Sequence, residues 1–145
     1  MKMPPPHGRT ISFKNNVACS FAVCIINSSL FYWFYSSFCD CEHVNDKLVQ
    51  NFPIPLAWTN RDWSTLSQEL EQSLKRKATR KTINTKDGHV IEYDEMKAVY
   101  SKGVTNKIDM ELAKLYRFTD EELDFIINYD IKYRMGRDSD GSDTD

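Results

Sequence analysis

The sequence is poor in the residues from which nucleotide and cofactor sites are built. Five glycines are scattered through 145 residues, and none falls in a Gly-rich run. That excludes a phosphate-cradling loop and the Gly-x-Ser-x-Gly turn of a serine hydrolase. It also leaves no loop of the kind that holds S-adenosylmethionine. Proline is equally sparse, at five, and three of those stand together as Pro4-Pro5-Pro6. A charged start followed by prolines has no apolar stretch to serve as a secretory signal, so a reducing cytoplasm is expected and the thiols are expected to be free. The four cysteines are Cys19, Cys24, Cys39 and Cys41. Cys39, Cys41 and His43 alternate rather than forming a Cys-x-x-Cys knuckle, and no second knuckle follows, so no metal site is assigned.

Carboxylates are present without a catalytic arrangement. Glu92, Asp94, Glu95 and Lys97 lie close together, but they read as strand-end and turn residues rather than a nuclease cluster. Asn51-Phe52-Pro53-Ile54-Pro55 superficially resembles the loop with which adenine methyltransferases hold the target amine. Its prolines are separated and displaced, so that geometry is not supported. The expectation is a protein that is not an enzyme and takes no cofactor.

What the chain does have is one long uncharged stretch and an uneven charge. Val17 to Phe38 is 22 residues without a formal charge, long enough to span a bilayer. Asn27 and five serines within it favour a buried helix, and a membrane-anchored protein with a span at 17–38 stays as the rival. The net charge of −2 conceals a basic block of Lys75, Arg76, Lys77, Arg80 and Lys81 and an acidic end of Asp138, Asp140, Asp143 and Asp145. A basic block can meet phosphates; at the end of a helix it also complements the helix dipole.

The pattern predicts a mainly helical α+β domain over residues 11–136, between a disordered N-terminus (1–10) and a disordered acidic tail (137–145). Thr10-Ile11-Ser12-Phe13 alternates like a strand. Asn15 or Asn16 caps a helix from about Val17 to Tyr35, with Val17, Phe21, Cys24, Ile25, Ser28, Phe31 and Tyr32 at helical steps. Ala22, Ile26 and Ser29 widen that face, so the helix should be nearly buried all round. A loop follows from Phe38 to Asn45, then a short strand or turn at Lys47–Phe52. Asn60 or Thr59 starts a helix from about Arg61 to Thr79, with Trp63, Leu66, Leu70 and Leu74 on one side. Asp87-Gly88 turns a hairpin between Thr82–Asn84 and His89–Tyr93. Asn106 caps a helix to about Tyr116, with Ile108, Leu112 and Leu115 on one face. Thr119 and Glu122 form a capping box for the last helix, in which Leu123, Ile126, Ile127, Asp130, Ile131 and Met135 are spaced helically.

Three segments together resemble the C-terminal end of bacterial type IIG restriction-modification enzymes and related adenine-specific DNA methyltransferases. The first is Asn27-Ser28-Ser29-Leu30-Phe31-Tyr32-Trp33-Phe34 with Asp40-Cys41-Glu42-His43-Val44-Asn45. The second is Asn51-Phe52-Pro53-Ile54-Pro55. The third, and most specific, runs from Leu112 through Phe118-Thr119-Asp120-Glu121-Glu122-Leu123-Asp124-Phe125-Ile126-Ile127-Asn128-Tyr129-Asp130-Ile131-Lys132-Tyr133-Arg134-Met135-Gly136. The family tends to carry Arg where this chain has Glu42, and Gly where it has Arg117. The resemblance implies the end of a TaqI-like target-recognition domain, which reads DNA and performs no chemistry.

The chain starts with Met and holds none of the catalytic core, so it reads as a detached C-terminal piece, contributing to DNA recognition or docking on a methyltransferase core. The DNA contacts expected are Lys75, Arg76, Lys77, Arg80 and Lys81 on phosphates, with His43 and Asn45 as polar readers by position in the resemblance. A remnant that does not function is the remaining alternative.

Overall fold

The computed structural model describes residues 10–39, 44 and 46–131. Residues 1–9 of the expected N-terminal tail (1–10), the whole expected acidic tail (137–145), the cysteine Cys41 and the expected polar readers His43 and Asn45 lie outside the described residues. Among the described residues the chain is mainly helical with one two-stranded antiparallel sheet.

Helix α1 (Asn16–Ile26) opens on Asn15, whose side chain accepts from the Ala18 N–H at 2.9 Å. It ends well before the apolar pattern does. Asn27 closes it, and Ser28 caps a new helix, α2 (Ser29–Phe38), by accepting from the Phe31 N–H at 3.0 Å. The single helix expected over Val17–Tyr35 is thus two helices bent by 65°. Serine competes for backbone groups and favours caps over helix interiors, and here the hydroxyl also donates to the Ile25 carbonyl at 2.6 Å. Among the described residues no single helix is long and apolar enough to cross a membrane. Nor is α1 buried all round. Phe21, Cys24 and Ile25 face the core, whereas Val17, Val23 and Ile26 are exposed.

Thr10–Phe13 forms no strand, and most of Lys47–Phe52 is helical instead: α3 spans Asp46–Asn51, and Phe52 lies just past its end. Pro53 and Pro55 follow, then a short 3-10 helix, Leu56–Asn60. Helix α4 (Trp63–Arg76) is capped by Asp62, not by Thr59 or Asn60, because Asp62 accepts from the Ser64 and Thr65 N–H groups. Hydrogen bonds to this carboxylate, led by the one from the Thr65 hydroxyl, hold it below the usual range. The predicted stripe is realised: Trp63 and Leu70 are buried, with Leu66 and Leu74 packed beside them.

Strands β1 (Thr79–Asn84) and β2 (Val90–Glu95) pair in register from Thr79 opposite Glu95 to Asn84 opposite Val90. The turn between them needs Gly88, which sits at φ +79°, a conformation glycine adopts without strain. A 3-10 turn at Ala98–Ser101 runs directly into α5 (Lys102–Tyr116), so Asn106 lies inside that helix rather than capping it. Helix α6 (Asp120–Asn128) has the predicted capping box between Thr119 and Glu122. It stops at Asn128, and Asp130 turns the chain with φ +50°; the expected helical position Met135 lies outside the described residues.

The core sits where α1, α2, α4 and α5 meet. Phe21 stacks on Trp58 with ring centroids 4.8 Å apart and leans on Trp63 at 4.9 Å. Ile108, Leu112 and Leu115 pack from α5, and Ile126 from α6. Each fully buried side chain of this size contributes on the order of 2 kcal/mol before entropy is charged against it.

Candidate nucleic-acid interface

The five cations of the basic block are brought to one place by the junction between α4 and the hairpin. Lys75 and Arg76 occupy the last turn of α4, Lys77 closes it, and Arg80 and Lys81 lie on β1. Cations suit this position because the last carbonyls of a helix carry partial negative charge. All five are solvent-exposed.

Most of that charge is already answered within the chain. Lys75 donates to Glu71 one turn back, at 2.5 Å. Arg80 faces Asp94 across the ladder and forks onto two carboxylates, Asp94 at 3.0 Å and Glu92 at 2.9 Å. These bonds, Glu92 first, raise the guanidinium above its ordinary value. Lys81 lies 4.0 Å from Glu95. Glu92, Asp94 and Glu95 are therefore partners of the basic strand. Lys77 rests over the Tyr100 ring at 5.9 Å, a cation–π contact that leaves its charge exposed. Arg76 makes no ion pair among the described residues. The free positive charge of the site is concentrated at Arg76 and Lys77, fewer positions than the sequence block suggests.

The hairpin beside this junction projects from the helices. Every residue of both strands is exposed except Glu95, which is half-buried. One face carries Arg80, Thr82 and Asn84 against Asp94, Glu92 and Val90; the other carries Lys81, Ile83, Ile91 and Tyr93. Two strands without cover are marginally stable in water.

A second surface is invisible in the sequence. An apolar groove of about 360 Å³ opens between α1, α2 and the Pro53–Trp58 segment, lined by Ile11, Phe13, Phe21, Phe52, Ile54 and Trp58 among others. Its lining comes from stretches far apart in the chain, so no local pattern announces it. Glu111 carries no sequence signal either. It bonds Lys114 at 2.5 Å and Arg61 at 2.6 Å, and these cations, Lys114 first, hold its carboxyl below the usual range. Its role is to tie α5 to the entry of α4.

Among the described cysteines, Cys19 is exposed, Cys24 buried and Cys39 half-buried. No family model, no curated protein and no solved structure matches the chain.

Proposed function

We propose that the chain is a non-catalytic part of the target-recognition end of a restriction-modification adenine DNA methyltransferase. It docks on a methyltransferase core in the cytoplasm and touches DNA phosphates through the α4–β1 junction. The observation that carries the reading is the gathering of five exposed cations at the junction of the α4 end with a projecting hairpin. The resemblance from Asn27 to Gly136 supplies the family. Local neutralisation of Lys75, Arg80 and Lys81 supports a shared rather than an autonomous grip on DNA, because every cation withheld from a phosphate weakens binding and its salt dependence. The exposed apolar groove supports docking, since soluble proteins rarely leave large contiguous apolar patches uncovered.

The test is a pull-down of the tagged chain from its native cell, from nuclease-treated and untreated lysates in parallel. Recovery of an adenine methyltransferase from both, identified by mass spectrometry and by methyl transfer to DNA, is the expected result. Recovery of DNA alone, lost on nuclease treatment, would mean an autonomous weak binder. Recovery of neither would sink the proposal.

A further inference from the structure

The phase of the hairpin ladder decides which backbone groups point outward. The Thr85 N–H donates to the His89 carbonyl at 2.8 Å, so Thr85 and His89 form a hydrogen-bonded pair. Such pairs alternate with non-hydrogen-bonded ones along an antiparallel ladder. In the observed register Ile83–Ile91 and Lys81–Tyr93 are then hydrogen-bonded, and Asn84–Val90, Thr82–Glu92 and Arg80–Asp94 are not. The N–H and C=O groups of Arg80, Thr82 and Asn84 therefore face away from β2, and those of Val90, Glu92 and Asp94 face away from β1. Neither strand contains a proline. No backbone bond joins either outer edge to another element among the described residues. Every residue of β1 is exposed. Open edges of this kind accept a further strand.

A second copy of the chain offers both edges, and charge and space choose between them. Stacking β1 of one copy on β2 of the next sets a basic strand beside an acidic one. It also offsets two hairpins that point the same way by two strand spacings, about 10 Å. That is only the width of one helix, and the base of each hairpin is joined to α4 and, through the 3-10 turn, to α5. An antiparallel two-fold pairing sends the helices of the two copies to opposite ends instead. Pairing the whole of β2 with its copy puts Glu92 directly opposite Glu92, a destabilising contact of like charges. Pairing the whole of β1 with its copy puts Thr82 opposite Thr82 and Arg80 opposite Asn84. On the other face it puts Lys81 opposite Ile83. No like charges then stand directly opposite, and a Thr–Thr pair is favourable across strands. Thr79 falls opposite Thr85 of the second copy, so the two strand starts lie about 20 Å apart along the sheet.

We propose that the outer edge of β1 is an interface between two copies of this chain. The hairpins pair antiparallel through Arg80, Thr82 and Asn84 into one four-stranded sheet of order β2-β1-β1-β2. Each hairpin, marginal by itself, becomes half of a wider sheet. The aliphatic stem of Lys81 covers Ile83 of the other copy. Six residues a side make a small interface, so the association is weak and concentration-dependent. It uses neither Arg76 nor Lys77 and does not rest on the DNA reading above.

Sedimentation equilibrium of the full chain, from micromolar to millimolar protein, reads the association. NMR contacts between Ile83 and Ile91 report that the hairpin is intact. The N–H of residue 82 points outward, so Thr82→Pro removes a donor of the edge without breaking a bond to β2. Thr82→Lys keeps the backbone and sets two ammonium groups opposite one another. Val90→Pro makes the equivalent backbone change on the outer edge of β2. The expected result is a weight-average mass that rises toward twice the chain's in the parent and in Val90→Pro. Both Thr82 variants should associate about tenfold more weakly or less, since the change enters both copies at once.

A parent that stays monomeric at every concentration would overturn the interface. Association that survives Thr82→Lys would overturn it too and place the contact elsewhere, the apolar groove first; if Thr82→Pro opens the hairpin, Thr82→Lys decides alone. Association lost in Val90→Pro with the hairpin intact would bring β2 into the contact and contradict the assignment. Growth beyond two copies would mean head-to-tail stacking and remove the two-fold pairing.

Discussion

The carboxylate of Asp109 accepts a hydrogen bond from the backbone N–H of Ser29 at 2.8 Å, across 80 residues of chain. Both residues are fully buried. Ser29 is the first residue of α2, so its N–H has no partner within the helix, and the positive end of the helix favours a carboxylate there. This bond ties α5 to the break between α1 and α2. Asp109→Ala should cost about 2 kcal/mol, because it strands a buried donor that the side chain now satisfies. Asp109→Asn should cost less, since the amide oxygen can still accept. Urea denaturation of the three proteins checks the order, and a cost under about 1 kcal/mol for the alanine variant would remove Asp109 from this role.

Arg117 ends α5 with φ +59° and ψ +43°, and the next N–H, of Phe118, closes back on the Ala113 carbonyl at 2.9 Å. This is the left-handed closure in which glycine is usual. The arginine adopts this conformation at a steric cost. Arg117→Gly should therefore stabilise the chain by about 1 kcal/mol, whereas Arg117→Ala should give no gain. Equal effects from the two substitutions in chemical denaturation would show that side-chain loss, not backbone strain, is being measured.

The elements legible in the sequence are those set by neighbours a few residues apart. Thr119 and Glu122 announce their helix because both halves of the capping box are local. Asp87-Gly88 announces the hairpin because only its own turn is at stake. The break at Asn27-Ser28 is illegible because the apolar spacing continues through it, and what stabilises the break includes Asp109, far along the chain. Lys47–Phe52 is too short for periodicity to separate helix from strand. At the candidate site the cations can be counted from sequence, but their neutralisation cannot. That Arg80 faces Asp94 follows from the strand register, which pairing alone sets.

Cys24 is enclosed between α1 and α4, its thiol donating weakly to the Trp63 carbonyl at 3.7 Å. Burial pushes the thiol up to about 12, since a thiolate there would lose its hydration. Between the unfolded thiol's value and about 12, the unfolded chain releases this proton and the folded chain keeps it. Stability therefore falls as pH rises through that window, by up to about 1.4 kcal/mol per unit from this group alone. Denaturation from about pH 8 upward, near the ordinary thiol value, should show a shallower fall for Cys24→Ala than for the parent. In the native protein under the same mildly alkaline conditions, a thiol reagent should modify exposed Cys19 and spare Cys24. Equal rates at the two positions would contradict the packing.

Arg76 and Lys77 are the cations of the junction that no carboxylate among the described residues neutralises, and they separate two accounts of the basic block. If the block only complements the end of α4, reversing these charges alters stability slightly and nothing else. If they meet phosphates, each contact contributes about 0.9 to the slope of log affinity against log salt on duplex DNA. Arg76→Glu with Lys77→Glu should then reduce that slope by about 2 and weaken binding alike across unrelated sequences. Arg80→Gln should change the slope less, because its guanidinium is committed to Glu92 and Asp94. Duplex titrations of the parent and both variants at several salt concentrations decide the matter. A slope unchanged in the double variant would leave the cations with the helix and take the phosphates away from them.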